Sequence, residues 1–511
     1  MIQLTAFRVD KTLFESTYSP SKSGEPLGHK SMEKSNSESS KVIPQHEQIG
    51  MKHACDDVGN MHRFIEHNQD RLRYIVEKSK WAVWDGTRWN INKETEVFKM
   101  AIDTACRIYE EASTCPTEEG RKRLASWANQ SQAHHRIKTM VTMASKYPEM
   151  TSHAYQFDTD LSIVNCLNGV LDLRTRQLKK HSSTHLVTKR AAVSYDDSAK
   201  CPQFFRFLNE VFSGDKELIR WIQLALGYTI TGLSSEQTFF IAYGTGANGK
   251  STLFELLLEI LGDYGRSAEF ETFLSQEKSN IRVMESVAKL QGIRFALASE
   301  TDSARRFSEA LVKKITGNDT ITGSFLYGSS FEFRPEFKLW LLANHLPIAK
   351  DGSHGFWRRV KVVPFSKQFD LADIDQTLPN RLRTEKEGIF AWLVRGAHDW
   401  LEARDNPSRE SALGTSQAVE EATNLYRSDH DLFSHFIREC IADSPTATTK
   451  AADLYEAYLE WCQNNGHSDS CSNVIFSSRL QERGYSKRRK SSGYVYMDII
   501  IQDVLKSTTD F

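Results

Sequence analysis

Gly244-Thr245-Gly246-Ala247-Asn248-Gly249-Lys250-Ser251 is the stretch on which the reading of this 511-residue chain turns. It has the form G-x-x-x-x-G-K-[ST]. Thr238-Phe239-Phe240-Ile241-Ala242-Tyr243 before it is a short apolar run that reads as a buried strand, and residues 252–261 after it carry the apolar spacing of a helix. Between a strand and a helix, glycines let main-chain N–H groups point at phosphate oxygens, and the helix N-terminus favours an anion. A glycine-rich turn between packed elements would account for the glycines but not for Lys250 followed by Ser251. The pattern therefore predicts a nucleotide site for ATP with Mg²⁺. Gly244, Thr245, Gly246, Ala247, Asn248, Gly249 and Thr252 form the cradle, Lys250 reaches the β/γ-phosphates, and Ser251 ligates the metal.

Two further runs fall at spacings that suit such a site. Arg294-Phe295-Ala296-Leu297-Ala298-Ser299-Glu300 is an apolar strand ending in a carboxylate, where Glu300 is expected to activate water or hold Mg²⁺; Asp302 is the next candidate for that role. Phe337-Lys338-Leu339-Trp340-Leu341-Leu342-Ala343 ends at Asn344, suitably placed to orient water near a γ-phosphate. Phe356-Trp357-Arg358-Arg359 precedes the strand-like Val360-Lys361-Val362-Val363-Pro364-Phe365. An arginine pair is commonly a solvated face. After these motifs, it is expected to supply an arginine finger to a neighbouring subunit, Arg359 first and Arg358 second.

Composition narrows the classes. A chain this long predicts about three domains. It is 40% hydrophobic and 26% charged, as an ordinary soluble protein would be, and no apolar run approaches the ~20 residues of a membrane span. The N-terminus has no basic-then-apolar leader pattern, and the eight cysteines are scattered without a C-x-x-C pair, which predicts reduced thiols in a cytoplasm. With a net charge of −1, contact with nucleic acid must come from local patches.

The expected organisation is a disordered tail (1–50), an N-terminal α/β to helical module (51–150), a second module (151–233), an ATPase core (234–370), a helical extension (371–445) and a winged-helix-like domain (446–511). Residues 19–48 are rich in Ser, Lys, Glu and Gly, with little to bury. Trp81-Ala82-Val83-Trp84-Asp85-Gly86-Thr87-Arg88-Trp89 reads as an aromatic hairpin around an Asp-Gly turn. Its tryptophans could stack on bases, but small-module core is the simpler reading. Asn168-Gly169-Val170-Leu171-Asp172-Leu173 reads as another tight turn between strands, and Asp443-Ser444-Pro445 marks the start of the last module. There, two helices, the basic turn Lys487-Arg488-Arg489-Lys490 and a terminal strand suggest the winged helix, with the basic run either a DNA contact or a solvated turn.

Taken in order, these motifs resemble superfamily 3 helicases of the phage, plasmid and large-DNA-virus primase-helicase family. The resemblance covers the chain from about Asp56 onward. It implies an α/β fold, an AAA+-like P-loop NTPase core with flanking, mostly helical modules and the C-terminal winged-helix-like domain. Lys313-Lys314-Ile315-Thr316-Gly317-Asn318-Asp319-Thr320-Ile321 looks like that family's extra motif, associated with loops that grip single-stranded DNA, so Lys313 and Lys314 are expected to touch phosphate. The resemblance further implies an ATP-driven helicase of phage or prophage replication in a bacterial cytoplasm. Its partners would be single-stranded and duplex DNA, copies of itself in a ring, usually a hexamer, and a separate primase or polymerase. The chain departs from many relatives in having Ser299 before Glu300 and Gly323-Ser324 after the extra motif, and in showing neither a zinc-binding cluster nor a primase-like acid constellation upstream. The alternatives are an ATP-dependent DNA-binding loader or scaffold that does not unwind, and a bifunctional primase-helicase.

Overall fold

Phe239–Tyr243, Phe295–Ser299 and Lys338–Ala343 are strands with almost every residue buried, the signature of a parallel sheet covered on both faces. The computed structural model describes residues 45–275, 280–300, 306–325, 330–349, 354–370, 375–406, 408–409, 411–430, 432–465, 471–491 and 493–502. Five parallel strands form the central sheet in the order Val360–Pro364, Phe239–Tyr243, Lys338–Ala343, Phe295–Ser299 and Gly265–Ala268. Because side chains alternate along a strand, Phe240, Ala242, Trp340 and Leu342 enter one core with Leu253 and Phe254. Phe239, Ile241, Leu339 and Leu341 enter the other core with Val287, Val312 and Tyr426. Helices Lys216–Ile230, Lys250–Leu261 and Lys386–Arg404 cover the first face.

Two buried cations tie the sheet's lower end to its surroundings. Lys338 donates from Nζ to the carbonyls of Thr231, Leu233 (3.0 Å) and Glu336 (2.9 Å) and lies 4.8 Å from the Tyr228 ring. Its burial holds its pKa well below the usual lysine range. Arg294 donates from Nη1 to the carbonyls of Ile163 (2.7 Å) and Ile230 (2.9 Å).

Upstream, helix Asp57–Asn68 leads into strands Leu72–Ile75, Lys80–Trp84 and Trp89–Ile91, and three helices follow between Glu94 and Ala144. The Asp-Gly turn forms as read: Asp85 Oδ1 accepts from Thr87 N at 2.7 Å and Arg88 N at 2.9 Å. Trp81 and Trp89 are buried, and the Trp89 Nε1–H donates to Ser183 O at 2.8 Å, so both belong to core. The expected division at 150/151 is crossed by pairing of Leu72–Ile75 with Thr151–Ser152. It is also crossed by Asn165, whose Nδ2 donates to Thr87 O (3.0 Å) and Lys189 O (2.9 Å). Strands Ile163–Cys166, Gly169–Asp172 and Gln177–Lys179 make a small antiparallel sheet, so the second module opens as sheet before it turns helical.

At the C-terminal end, Ile441–Lys450, Gly493–Ile501 and Lys487–Lys490 pair antiparallel in that order around helices Ala451–Asn464 and Asn473–Glu482. Two expectations change. The Asp443-Ser444-Pro445 boundary lies inside a strand. The pairing register shifts between Asp443 and Thr448, and an edge strand tolerates a proline there. Phe433 and Phe436, ten or so residues earlier in the chain, already pack in this core. The basic run Lys487–Lys490 is an edge strand rather than a turn. Of the expected tail, 1–44 lie outside the described residues, but Gln45–Gln48 is helical. Asp302 also lies outside the described residues. Among the described residues, no helix is long and apolar enough to cross a membrane.

Candidate active site

All five central strands run the same way, so their carboxyl ends lie along one edge, where open parallel sheets bind ligands. The glycine-rich loop leaves that edge after Tyr243 and ends where Gly249 caps helix Lys250–Leu261. The loop is tied down from below. Gly244 N donates to Ala343 O (3.2 Å), and Phe369 N donates to Ala247 O (2.8 Å). The Asn248 side chain donates to Thr245 O and Phe365 O (3.4 Å), while its Oδ1 accepts from Lys250 N at 3.4 Å.

Gly249 has φ +84°, and a Cβ there would lie 2.7 Å from Val211 Cγ2 and 3.2 Å from the Phe207 ring. Both facts demand glycine. Gly246 is the opposite case, with nothing within 4 Å of where a Cβ would sit. That side of the loop is open.

Lys250 is only 6% exposed. Its Nζ donates to Gly244 O and, at 3.1 Å, to Asn344 Oδ1. Burial pulls its pKa down to about 8, partly opposed by the Glu300 carboxylate. Glu300 Oε2 accepts from the main-chain N–H groups of Asn344 (2.6 Å) and His345 (2.9 Å), while Oε1 lies 3.7 Å from His345 Nδ1. The pairing of the two strands produces this meeting. Ser299 stands opposite Leu342, so the residue leaving one strand reaches the turn leaving the next. Three of the residues picked from sequence, Lys250, Glu300 and Asn344, thus come together, with Ser251 and Thr252 in the first helical turn beside them. His345 and the main chain of Phe365 and Phe369 are additions. No sequence motif marks them, because they act through backbone groups and strand adjacency.

Arg358 and Arg359 stand apart from this cluster. They precede strand Val360–Pro364, so they lie at the amino end of the sheet while the loop lies at its carboxyl end. A five-residue strand separates those ends by about 17 Å. Arg358 is exposed and donates from Nη2 to Gln237 Oε1 at 2.6 Å. Arg359 is half-buried and donates to Gly355 O, and burial beside Arg358 lowers its pKa.

The basic candidates are separate again. Lys313 and Lys314 occupy the last turn of helix Glu309–Thr316, just before the hairpin of Ile321–Ser324 and Ser330–Phe333, whose connecting residues 326–329 lie outside the described residues. On the C-terminal edge strand, Arg488, Arg489 and Lys490 are exposed. Lys487 instead turns inward, donating to Ser477 Oγ at 2.7 Å and lying 5.0 Å from the Tyr494 ring.

Comparison with known proteins supplies the context. The family described as D5 N terminal like matches residues 61–213, a family of unknown function matches 242–359, and the family described as Poxvirus D5 protein-like matches 428–506. A protein of Acanthamoeba polyphaga mimivirus provisionally named a helicase is 27% identical over 372 residues, covering 68% of this chain and 37% of that protein. One of Frog virus 3, also provisionally named a helicase, is 28% identical over 252 residues, covering 46% of this chain and 25% of its own length. One of African swine fever virus provisionally named a primase is 22% identical over 352 residues, covering 64% and 36%. The chain therefore spans between about a quarter and two fifths of the length of these relatives. Among solved structures, the apo C-terminal region of NrS-1 superposes with a TM-score of 0.44 at 9% identity, covering 83% of this chain and 94% of that one. With D5-type regions matched at 61–213 and 428–506 and relatives named as helicases and primases of large DNA viruses, the chain is similar to the D5-type primase-helicases.

Proposed function

We propose that this chain is an ATP-dependent DNA helicase of a viral replication system, hydrolysing ATP to translocate on DNA and unwind it as a ring-shaped oligomer. One observation carries the reading. A buried lysine cation, a carboxylate held by main-chain N–H groups and a carboxamide meet at the carboxyl edge of a parallel sheet, beside a loop whose Gly246 side is open. The same arrangement supports an AAA+-like P-loop core. The two helices followed by a basic hairpin support a winged-helix-like end that meets duplex DNA. DNA as the object of the energy is supported by the relatives' names, and their sources favour a large DNA virus over the phage or prophage setting.

In this reading Lys250 pairs with the β/γ-phosphates and Asn344 orients the attacking water, which Glu300 polarises. Ser251 and Glu300 are the residues that would hold Mg²⁺, which when bound neutralises charge on the phosphates. Both main-chain N–H groups go to Glu300 Oε2, which keeps Oε1 available for that work. Glu300→Gln retains an oxygen for those N–H groups but loses the negative charge. We expect it to bind ATP near the wild-type level, measured by equilibrium dialysis, and to hydrolyse it on the order of a hundredfold or more slowly. Hydrolysis at the wild-type rate would remove Glu300 from the chemistry.

Lys250 also fixes a pH dependence. In the free protein it sheds its proton as pH rises through about 8, and only the cation pairs with phosphate. Phosphate binding raises that pKa, so ATP binding takes up a proton above pH 8. Affinity should be flat below about pH 7 and fall towards tenfold per pH unit above 8, whereas Lys250→Ala should show no such decline.

Lys313→Ala with Lys314→Ala tests the DNA grip. Each lost phosphate contact should lower the salt slope of single-strand binding by roughly one unit, with ATP binding unchanged. An unchanged slope would transfer the grip to Arg488, Arg489 and Lys490. DNA-stimulated ATP hydrolysis by the purified chain tests the function itself. The loader alternative predicts that stimulation without strand displacement, and the primase-helicase alternative predicts primers made de novo.

A further inference from the structure

Helix Asn473–Glu482 lies beside the hairpin of Lys487–Lys490 with Gly493–Ile501, and the two are bonded together. Lys487 Nζ and the Tyr496 hydroxyl both donate to Ser477 Oγ, at 2.7 and 3.1 Å. Lys487 stands opposite Tyr496 and Arg489 opposite Tyr494, and residues two apart on a strand share a face. Arg489 and Tyr494, the latter 54% exposed, therefore lie on the hairpin face that meets the helix. Arg488 and Lys490 lie on the other face.

The helix buries Phe476 and Leu480. Its opposite side carries Val474, Ser478 and Gln481, spaced i, i+4, i+7 in one exposed row. Val474 is 80% exposed and its neighbour Ile475 48%, an apolar pair left in water at the start of a helix. A protein partner would suit the pair taken alone, but its surroundings suit phosphate. Between Cys471 and Met497 the chain has six cations and a single acid, Glu482, at the helix end.

The chemistry of the row distinguishes base pairs. In a major groove an apolar side chain contacts the thymine methyl, glutamine pairs bidentately with adenine N6 and N7, and serine bonds to either pair. Guanine is read chiefly by Arg or Lys on O6 and N7, and the cytosine amino group by a carboxylate. Val474, Ser478 and Gln481 supply the first set and none of the second. Arg479, the one basic residue of the helix, is half-buried and lies 6.0 Å from the Phe433 ring. Arg489 adds to the same preference, because the narrow minor groove of A-tracts draws arginine in.

We propose that this C-terminal end selects A·T-rich duplex DNA. Val474, Ser478 and Gln481 read base edges in the major groove, Arg489 enters the adjacent minor groove, and Arg488 and Lys490 pair with phosphates. The proposal rests on the reading of this end as one that meets duplex DNA and adds a sequence preference to it.

Fluorescence anisotropy of the full chain without ATP, on blunt duplexes of equal length built from A·T or from G·C pairs, tests it. Wild type should bind the A·T duplex more tightly by about tenfold or more. Val474→Ser and Gln481→Ala, both at exposed positions that the fold does not need, should each cut that ratio by roughly fivefold and leave the salt slope unchanged. Gln481→Arg brings in a guanine reader and should move the ratio further towards G·C. Arg488→Ala with Lys490→Ala should weaken both duplexes alike and lower the salt slope by roughly one unit per lost contact. Equal wild-type affinity for the two duplexes overturns the preference while leaving duplex binding in place. A preference that neither Val474→Ser nor Gln481→Ala changes overturns the assignment to the helix. Wild type that binds neither duplex overturns the duplex reading and the preference together.

Discussion

Lys250→Ala is expected to lose ATP turnover by on the order of a thousandfold while keeping its fold. Removing one preorganised charged contact from a buried phosphoryl site commonly costs ~10²–10³ in rate, and here the cation would act on both binding and chemistry. The fold should survive because the Nζ partners, Gly244 O and Asn344 Oδ1, lie on a loop edge beside the open Gly246 side. The lysine is also a desolvated cation whose removal relieves a cost, as its lowered pKa indicates. Steady-state hydrolysis and a thermal unfolding curve of the same preparation check both halves. Turnover within a few-fold of wild type would end the assignment of the loop.

The second large effect concerns assembly. Arg358 and Arg359 sit at the amino end of strand Val360–Pro364, about 17 Å from the loop edge by strand rise, so neither reaches the Lys250 cluster of its own chain. If they act on ATP, they act on a neighbour's. A finger supplied in trans contributes roughly 10³ or more in rate. Arg359→Ala and Lys250→Ala proteins should each be inactive alone. Mixed, they should form some interfaces joining an intact loop to an intact arginine, and part of the hydrolysis should return. Arg358→Ala should be run in parallel, because Arg358 is the more exposed of the pair, whereas Arg359 is half-buried and holds Gly355 O. Pull-down of differently tagged copies establishes that mixed assemblies exist. Mixed assemblies without recovered hydrolysis, for both arginines, would favour the loader reading.

How much of this was legible follows from what each feature depends on. The loop, its strand and its helix depend on local spacing and on apolar runs, so Phe239–Tyr243 and the helix after it stand where the sequence predicts, give or take two residues. The buried strands Phe295–Ser299 and Lys338–Ala343 were visible for the same reason. That Glu300 accepts from the Asn344 and His345 N–H groups was not visible, because it follows from which strands are neighbours. Nothing in the sequence marks Lys338 or Arg294 within their apolar runs. Only the fold supplies the carbonyls that let two cations be buried there. Pro445 misled in the other direction, since proline usually punctuates. Here Thr446, with φ +71°, sits in a register shift that keeps the strand paired on both sides.

Strand displacement by the full chain on a forked duplex, with ATP and Mg²⁺, tests directly whether this protein is a helicase. Unwinding should require ATP, be absent with Lys250→Ala, and proceed alongside DNA-stimulated hydrolysis. DNA-stimulated hydrolysis by wild type with no displaced strand, on forks of either polarity, would contradict it.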